Sequence, residues 1–146
     1  MLYPVLQDPL RPVVSSLFDR PRGASIGQML FSAGEQGGWY DPSDLSTLFQ
    51  DAAGTTPVTA VEQPVGRMLD KSGRGNHATQ ATTTKRPTLK QDANGCYYLS
   101  FDGVDDAMQT GNINLTSTDK MTVWAGVNSS VSQDGTRLGT ILLHPD

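Results

Sequence analysis

The sequence predicts an all-β fold, on three observations. Fifteen glycines and nine prolines, with abundant serine, threonine and aspartate, divide the 146-residue chain into short stretches. That composition suits many short strands joined by tight turns rather than long helices. Asn94-Gly95 lies between the runs Thr88 to Gln91 and Cys96 to Phe101, and Asn-Gly is the strongest short-range hairpin signal because both residues tolerate positive φ. Met121 to Val127 shows the clearest period of two in the chain, with Met121, Val123, Ala125 and Val127 on one face and Thr122, Trp124 and Gly126 on the other, which predicts a strand.

Residues 1–37 differ from the rest of the chain. Four prolines fall within the first 21 positions and the apolar pieces between them keep no period, so this stretch reads as an extended arm. A solvated linker would contain fewer apolar side chains than Leu2, Tyr3, Val5, Leu6, Leu17 and Phe18, and these residues suit docking onto a partner. A brief helix is expected over Gly27 to Ala33, closed by Gly34. The predicted domain spans residues 38–146. It opens with a strand at Trp39-Tyr40, ended by Pro42, and continues with one helical or 3-10 turn in Ser43 to Phe49 that turns Leu45, Leu48 and Phe49 inward.

Asp51 to Pro57 reads as a turn, and Val65 to Leu69 as a strand with Val65 and Leu69 inward. A compact loop is next, from Asp70 to Asn76, where Gly73 and Gly75 allow positive φ and Asp70 and Ser72 can bond the loop's own amides. The returning hairpin strand, Cys96 to Phe101, is expected to bury Tyr97, Leu99 and Phe101, with Cys96 as a small buried apolar residue. Asp102-Gly103 makes the next turn before a strand from Val104 to Met108, and Leu138 to Leu143 forms a last strand after a turn at Ser132 to Gly135.

Two turn motifs, Asp70-Lys71-Ser72-Gly73-Arg74-Gly75-Asn76-His77 and Phe101-Asp102-Gly103-Val104-Asp105-Asp106, together with the run Gly38-Trp39-Tyr40-Asp41-Pro42-Ser43-Asp44-Leu45-Ser46-Thr47-Leu48-Phe49-Gln50-Asp51, resemble the lectin-like module of bacteriophage tail and virion proteins. That module is a concanavalin-A-like, laminin-G-like jelly roll. The resemblance covers about residues 35–127 and implies an antiparallel sandwich in a structural virion protein, such as a tail-fibre, tail-associated or head-fibre component, assembled in the bacterial cytoplasm. It implies other virion proteins as partners of the arm. It also implies, as a second function, recognition of host surface glycans through Asn76, His77, Asp105 and Asp106. Families with this fold extend further beyond the position matching Val127 than the nineteen residues present here. The sandwich is therefore expected to be shortened or to be completed by a neighbouring chain, in a homo-oligomer such as a trimer.

Charge and residue inventory narrow the chemistry. The net charge of −4 argues against a nucleic-acid partner, which calls for a basic stripe. Lys85, Arg86 and Lys90 read as a solvated face. The first residues lack a signal-peptide pattern, no run reaches the length of a membrane span, and the single cysteine precludes an intramolecular disulfide. The two glutamates, Glu35 and Glu62, lie too far apart for the paired carboxylates of a concanavalin-like hydrolase, so a non-enzymatic protein is expected. No cofactor is expected. Asp102, Asp105 and Asp106 offer hard oxygen ligands that suit calcium, although aspartates in tight turns more simply cap backbone amides.

Overall fold

The computed structural model describes residues 26–116 and 121–128 of the chain. Its regular structure is mostly β, in small antiparallel sheets, with one short α-helix, α1 (Ile26–Leu30), and two 3-10 turns, Leu45–Thr47 and Thr83–Lys85, among the described residues. The first sheet places β1 (Leu48–Phe49), β2 (Arg67–Met68) and β3 (Ala78–Thr79) side by side, and the second pairs β4 (Thr88–Gln91) with β5 (Tyr97–Ser100). Leu48 stands opposite Met68 and Met68 opposite Ala78, which gathers three apolar side chains on one face of the first sheet. Leu89 stands opposite Leu99 in the second. Leu48, Val58, Val65, Met68, Ala78 and Leu89 form the buried core, with Tyr40, Leu45, Tyr97, Leu99 and Met108 packed at its margin.

Local chemistry explains the elements that match expectation. The helix ends at Leu30, short of the expected Ala33, and the turn after it reaches Gly34 at φ +92°, a conformation that costs glycine little. A 3-10 turn at Leu45–Thr47 precedes β1, and Leu48 is fully buried there. The Asp51 carboxylate takes the amide protons of Thr55 and Thr56 and so closes the turn before Val58. In the β4–β5 hairpin, Asp92 Oδ1 accepts from the Asn94 and Cys96 amides while Gly95 adopts φ +84°.

Other expectations are corrected. Trp39-Tyr40 is not a strand: its backbone bonds to the Asp70 side chain and to the Lys71 amide instead of to a ladder. The segment expected as Val65 to Leu69 pairs only at Arg67–Met68, with Met68 rather than Leu69 buried. The segment Val104 to Met108 has no ladder: Val104 and Asp105 form bends, because Asp102 holds the first amides in a turn. Met121 to Val127 has no ladder partner among the described residues and is exposed throughout; alternation makes a segment strand-competent, but only a neighbouring edge makes it a strand. Cys96 is exposed, as is Phe101, because each lies just outside the paired length of β5. Arg86 is not a solvated cation, since its guanidinium donates to the carbonyls of Gln50, Gln80 and Ala81. The segment Leu138 to Leu143 and its turn lie outside the described residues.

Gly66 is a tight point of the core. A Cβ there would sit 2.6 Å from the Gln50 carbonyl oxygen and 2.9 Å from Arg86 Nε. The Gln50 carbonyl accepts from the Arg86 guanidinium, whose Nε donates to the Gln80 carbonyl, so neither neighbour can retreat without losing a bond. The Gly66→Ala variant should lose about 1–3 kcal/mol of stability by overpacking. Leu89→Ala should lose about 2–5 kcal/mol by leaving a cavity. Urea unfolding of both variants checks the two values.

Candidate functional site

The first turn motif closes around a buried carboxylate. Asp70 is 8% exposed and accepts four hydrogen bonds. Oδ1 takes the amides of Trp39 and Ser72, each at 2.8 Å, and Oδ2 takes the Ser72 hydroxyl at 2.6 Å and the Asn76 amide at 3.0 Å. Gly73 and Gly75 hold φ of +82° and +78°, which lets the chain curl until the Asn76 N–H faces the same carboxylate as that of Ser72. Burial pushes the Asp70 carboxyl upward, but the bonds from Ser72, Trp39 and Asn76 outweigh it and hold the group below the usual aspartate range. The negative charge has a second consequence: burial, aided by the Asp70 field, pushes the Tyr40 phenol up to about 12.

The loop is also tied to residues far away in sequence. Lys71 Nζ bridges Asp41 at 2.9 Å and Asp44 at 2.8 Å, and lies 4.8 Å from the centre of the Trp39 ring. Hydrogen bonds to Asp44 and Asp41 raise the lysine's pKa. The bond from Ser43 lowers that of Asp41, ahead of the lysine's contribution, and the lysine itself lowers that of Asp44. A Cβ on Gly27 would overlap the Trp39 ring, so only glycine lets α1 approach it. Arg74 donates to the carbonyls of Phe31 and Glu35, and Asn76 Nδ2 to that of Gly37 at 2.6 Å. Residues 31–37, the C-terminal end of the expected arm, are thereby bonded to the loop.

The residues expected from sequence are accordingly engaged. Besides its side-chain bond to Gly37, Asn76 accepts the Tyr40 hydroxyl on its carbonyl. His77 Nδ1 accepts the Asp70 amide at 3.0 Å, so the ring carries its proton on Nε2. In the second motif Asp102 Oδ1 accepts the amides of Val104, Asp105 and Asp106 at 2.9 to 3.2 Å, and Asp106 Oδ2 accepts that of Asp102. Those amide bonds, that of Val104 foremost, lower the pKa of Asp102. Asp105 pairs with Lys85 at 3.5 Å. The three carboxylates come together, with one oxygen from each within 4.8 Å of the others, but the Asp102 oxygen that binds amides is already saturated. No hydrogen bond or ion pair among the described residues joins Asn76 or His77 to Asp105 or Asp106. The apolar arm residues Leu2, Tyr3, Val5, Leu6, Leu17 and Phe18 lie outside the described residues.

Sequence reasoning missed Lys71, Asp41, Asp44 and Gly27 as parts of this site. Nothing local signals them, because Lys71 reaches Asp41 and Asp44 across about thirty residues of chain and Gly27 matters only through its approach to the Trp39 ring. Comparison of the chain with family models, curated proteins and solved structures returned no match.

Asp70→Asn should cost about 2–3 kcal/mol, since it removes the charge from four hydrogen bonds, and it should expose Trp39, as read by its fluorescence. Because folding lowers the Asp70 pKa, its stabilisation is complete above the ordinary aspartate value of about 3.9. It is lost as pH falls through the lower folded-state value. Asp51, Asp92 and Asp102 are shifted in the same direction. An acid titration of wild-type stability should therefore be flat at neutral pH and fall steeply only below about pH 4.

Proposed function

We propose that this chain is a non-enzymatic structural protein of a bacteriophage particle, a tail-fibre, tail-associated or head-fibre component. Residues 38–146 would form its lectin-like jelly-roll domain and residues 1–37 the arm that anchors it to other virion proteins. The observation that carries this reading is how the two turn motifs use their polar groups. Asp70, Ser72, Asn76 and Asp102 each bond the backbone of their own chain, so the motifs serve as architecture. The small antiparallel sheets suit part of a sandwich, and the resemblance of the two motifs and of the Gly38 to Asp51 run supplies the virion context.

The wiring of polar side chains supports a non-enzymatic reading. Asp70, Ser72 and His77 are the residue types of a hydrolytic triad, yet Ser72 donates to Asp70 and the histidine accepts from a backbone amide. In a triad the histidine would take the serine proton and its other nitrogen would donate to the carboxylate. Glu62 is paired with Lys90, and Glu35 accepts the Ala33 amide.

Truncation of residues 1–25, which spares the bonds between residues 31–37 and the loop, tests the anchor. The truncated protein should fold with a normal circular-dichroism spectrum and be missing from purified particles by immunogold labelling. Unchanged copy number in the particle would overturn the anchoring arm. Absence of the full-length protein from particles, with the protein free in the lysate, would overturn the structural role in favour of a separate glycan-binding module.

A further inference from the structure

We propose that Asn94 is a site of spontaneous covalent change, at which the folded protein converts its own hairpin turn to isoaspartate and releases β5 from β4. The proposal does not depend on the virion reading. Asn94-Gly95 is the one Asn-Gly pair in the chain, and the whole stretch from Gln91 to Cys96 is exposed. Attack on an asparagine side-chain carbonyl needs the backbone nitrogen of the next residue, and a side chain on that residue obstructs the approach. Gly95 has none. Its N–H holds one backbone bond, to the Asp92 carbonyl at 3.1 Å, in an exposed turn where local opening costs little. Asn76, Asn112, Asn114 and Asn128 instead precede His77, Ile113, Leu115 and Ser129. Asn76 is further held by its bond to Gly37, and Asn114 by its bonds from Thr116.

The Gly95 nitrogen bonds to the Asn94 side-chain carbonyl carbon as its proton passes to solvent, and the side-chain nitrogen leaves as ammonia, closing a five-membered imide. Proximity favours the step, because nucleophile and electrophile belong to adjacent residues. Water then opens the ring: its hydroxyl adds to one of the two carbonyl carbons and its proton returns to the Gly95 nitrogen. Opening at the side-chain carbon gives aspartate. Opening at the main-chain carbon gives isoaspartate, whose backbone runs through the former side chain and is one atom longer. Either way an amide and water become a carboxylate and ammonia, with no change of oxidation state.

The turn cannot take up the extra atom in place. Asp92 Oδ1 accepts the Asn94 and Cys96 amides at 2.8 and 2.9 Å, the Asp92 amide donates to the Cys96 carbonyl, and Gln91 Nε2 donates to the Gly95 carbonyl. These bonds set the register that places Gln91 opposite Tyr97 and Leu89 opposite Leu99. The two strands do not respond equally, because β4 is tied on its other side. The Leu89 amide donates to Gln63, and the Glu62 and Val65 amides donate to the carbonyls of Leu89 and Pro87, so β5 is the strand that moves. With the Leu89 backbone turned to that side, Lys90 and Tyr98 exchange the ladder bonds between β4 and β5.

Ageing the full-length protein in mildly alkaline buffer tests this, read by peptide mapping, enzymatic methylation that marks isoaspartate, and hydrogen exchange resolved by residue. Isoaspartate should accumulate at position 94 several times faster than at the other four asparagines. In the modified fraction the Lys90 and Tyr98 amides should lose protection while the Leu89 amide, bonded to Gln63, keeps it. Fresh Asn94→Asp protein, which has the new charge without the added backbone atom, should keep the protection of Tyr98. Asn94→Gly, which a turn accommodates, should age without losing it. Conversion at Asn94 no faster than at the other asparagines would overturn the site. Unchanged Tyr98 protection in the isoaspartate fraction, or equal loss in fresh Asn94→Asp or aged Asn94→Gly, would overturn the release of β5.

Discussion

The structure depends first on the burial of one carboxylate. Asp70 collects donors from Trp39, Ser72 and Asn76, so a single side chain fixes both the shape of its loop and the position of a segment thirty-one residues earlier. An ionised carboxylate removed from water is costly unless its lone pairs are filled. Here four donors fill them, and the donors are themselves mostly backbone groups that need acceptors. Each half of the arrangement therefore removes a penalty from the other. The same anchoring brings Lys71 over Trp39 and between Asp41 and Asp44, and it leaves Arg74 and Asn76 placed to hold residues 31–37.

Aspartates in turns recur as the organising device of the whole chain. Asp51, Asp92 and Asp102 each hold two or more amides of residues just downstream, as Asp70 does at greater depth. With strands of two to four residues, ladder bonds are few. The turns therefore carry a larger share of backbone satisfaction than in a protein of long strands. Asp92 and Asp102 are exposed to solvent at their turns and Asp51 is half-buried, and of the four Asp70 alone links its turn to a distant segment, which is why it sets the architecture.

How much was legible in the sequence depends on the range of the interaction. The β4–β5 hairpin was legible because Asn94-Gly95 encodes its turn within the turn itself, and the Asp70 to Asn76 loop because glycine spacing and an Asx turn are equally local. Trp39-Tyr40 was misread: its residue types favour a strand, but a buried carboxylate far away in sequence claims its backbone. Arg86 was misread for a similar reason, since three carbonyls from two separate segments receive its guanidinium. Met121 to Val127 marks the other limit. Its alternation records which faces can be buried, but no ladder partner for it stands among the described residues. Of the candidate site residues, Asn76 and His77 stand at the end of the glycine turn, and their engagement with Gly37 and with the Asp70 amide became visible only with the fold.

The central claim is that the Asp70 carboxylate joins the loop to the Trp39 segment, and amide hydrogen exchange resolved by residue tests it most directly. In wild type at neutral pH the Trp39, Ser72 and Asn76 amides should exchange slowly. In Asp70→Asn all three should accelerate together while the Val65 and Leu89 amides keep their protection. If the three amides exchange at the rate of an open chain in wild type, or are unaffected by the substitution, the carboxylate does not hold these segments together and the account fails.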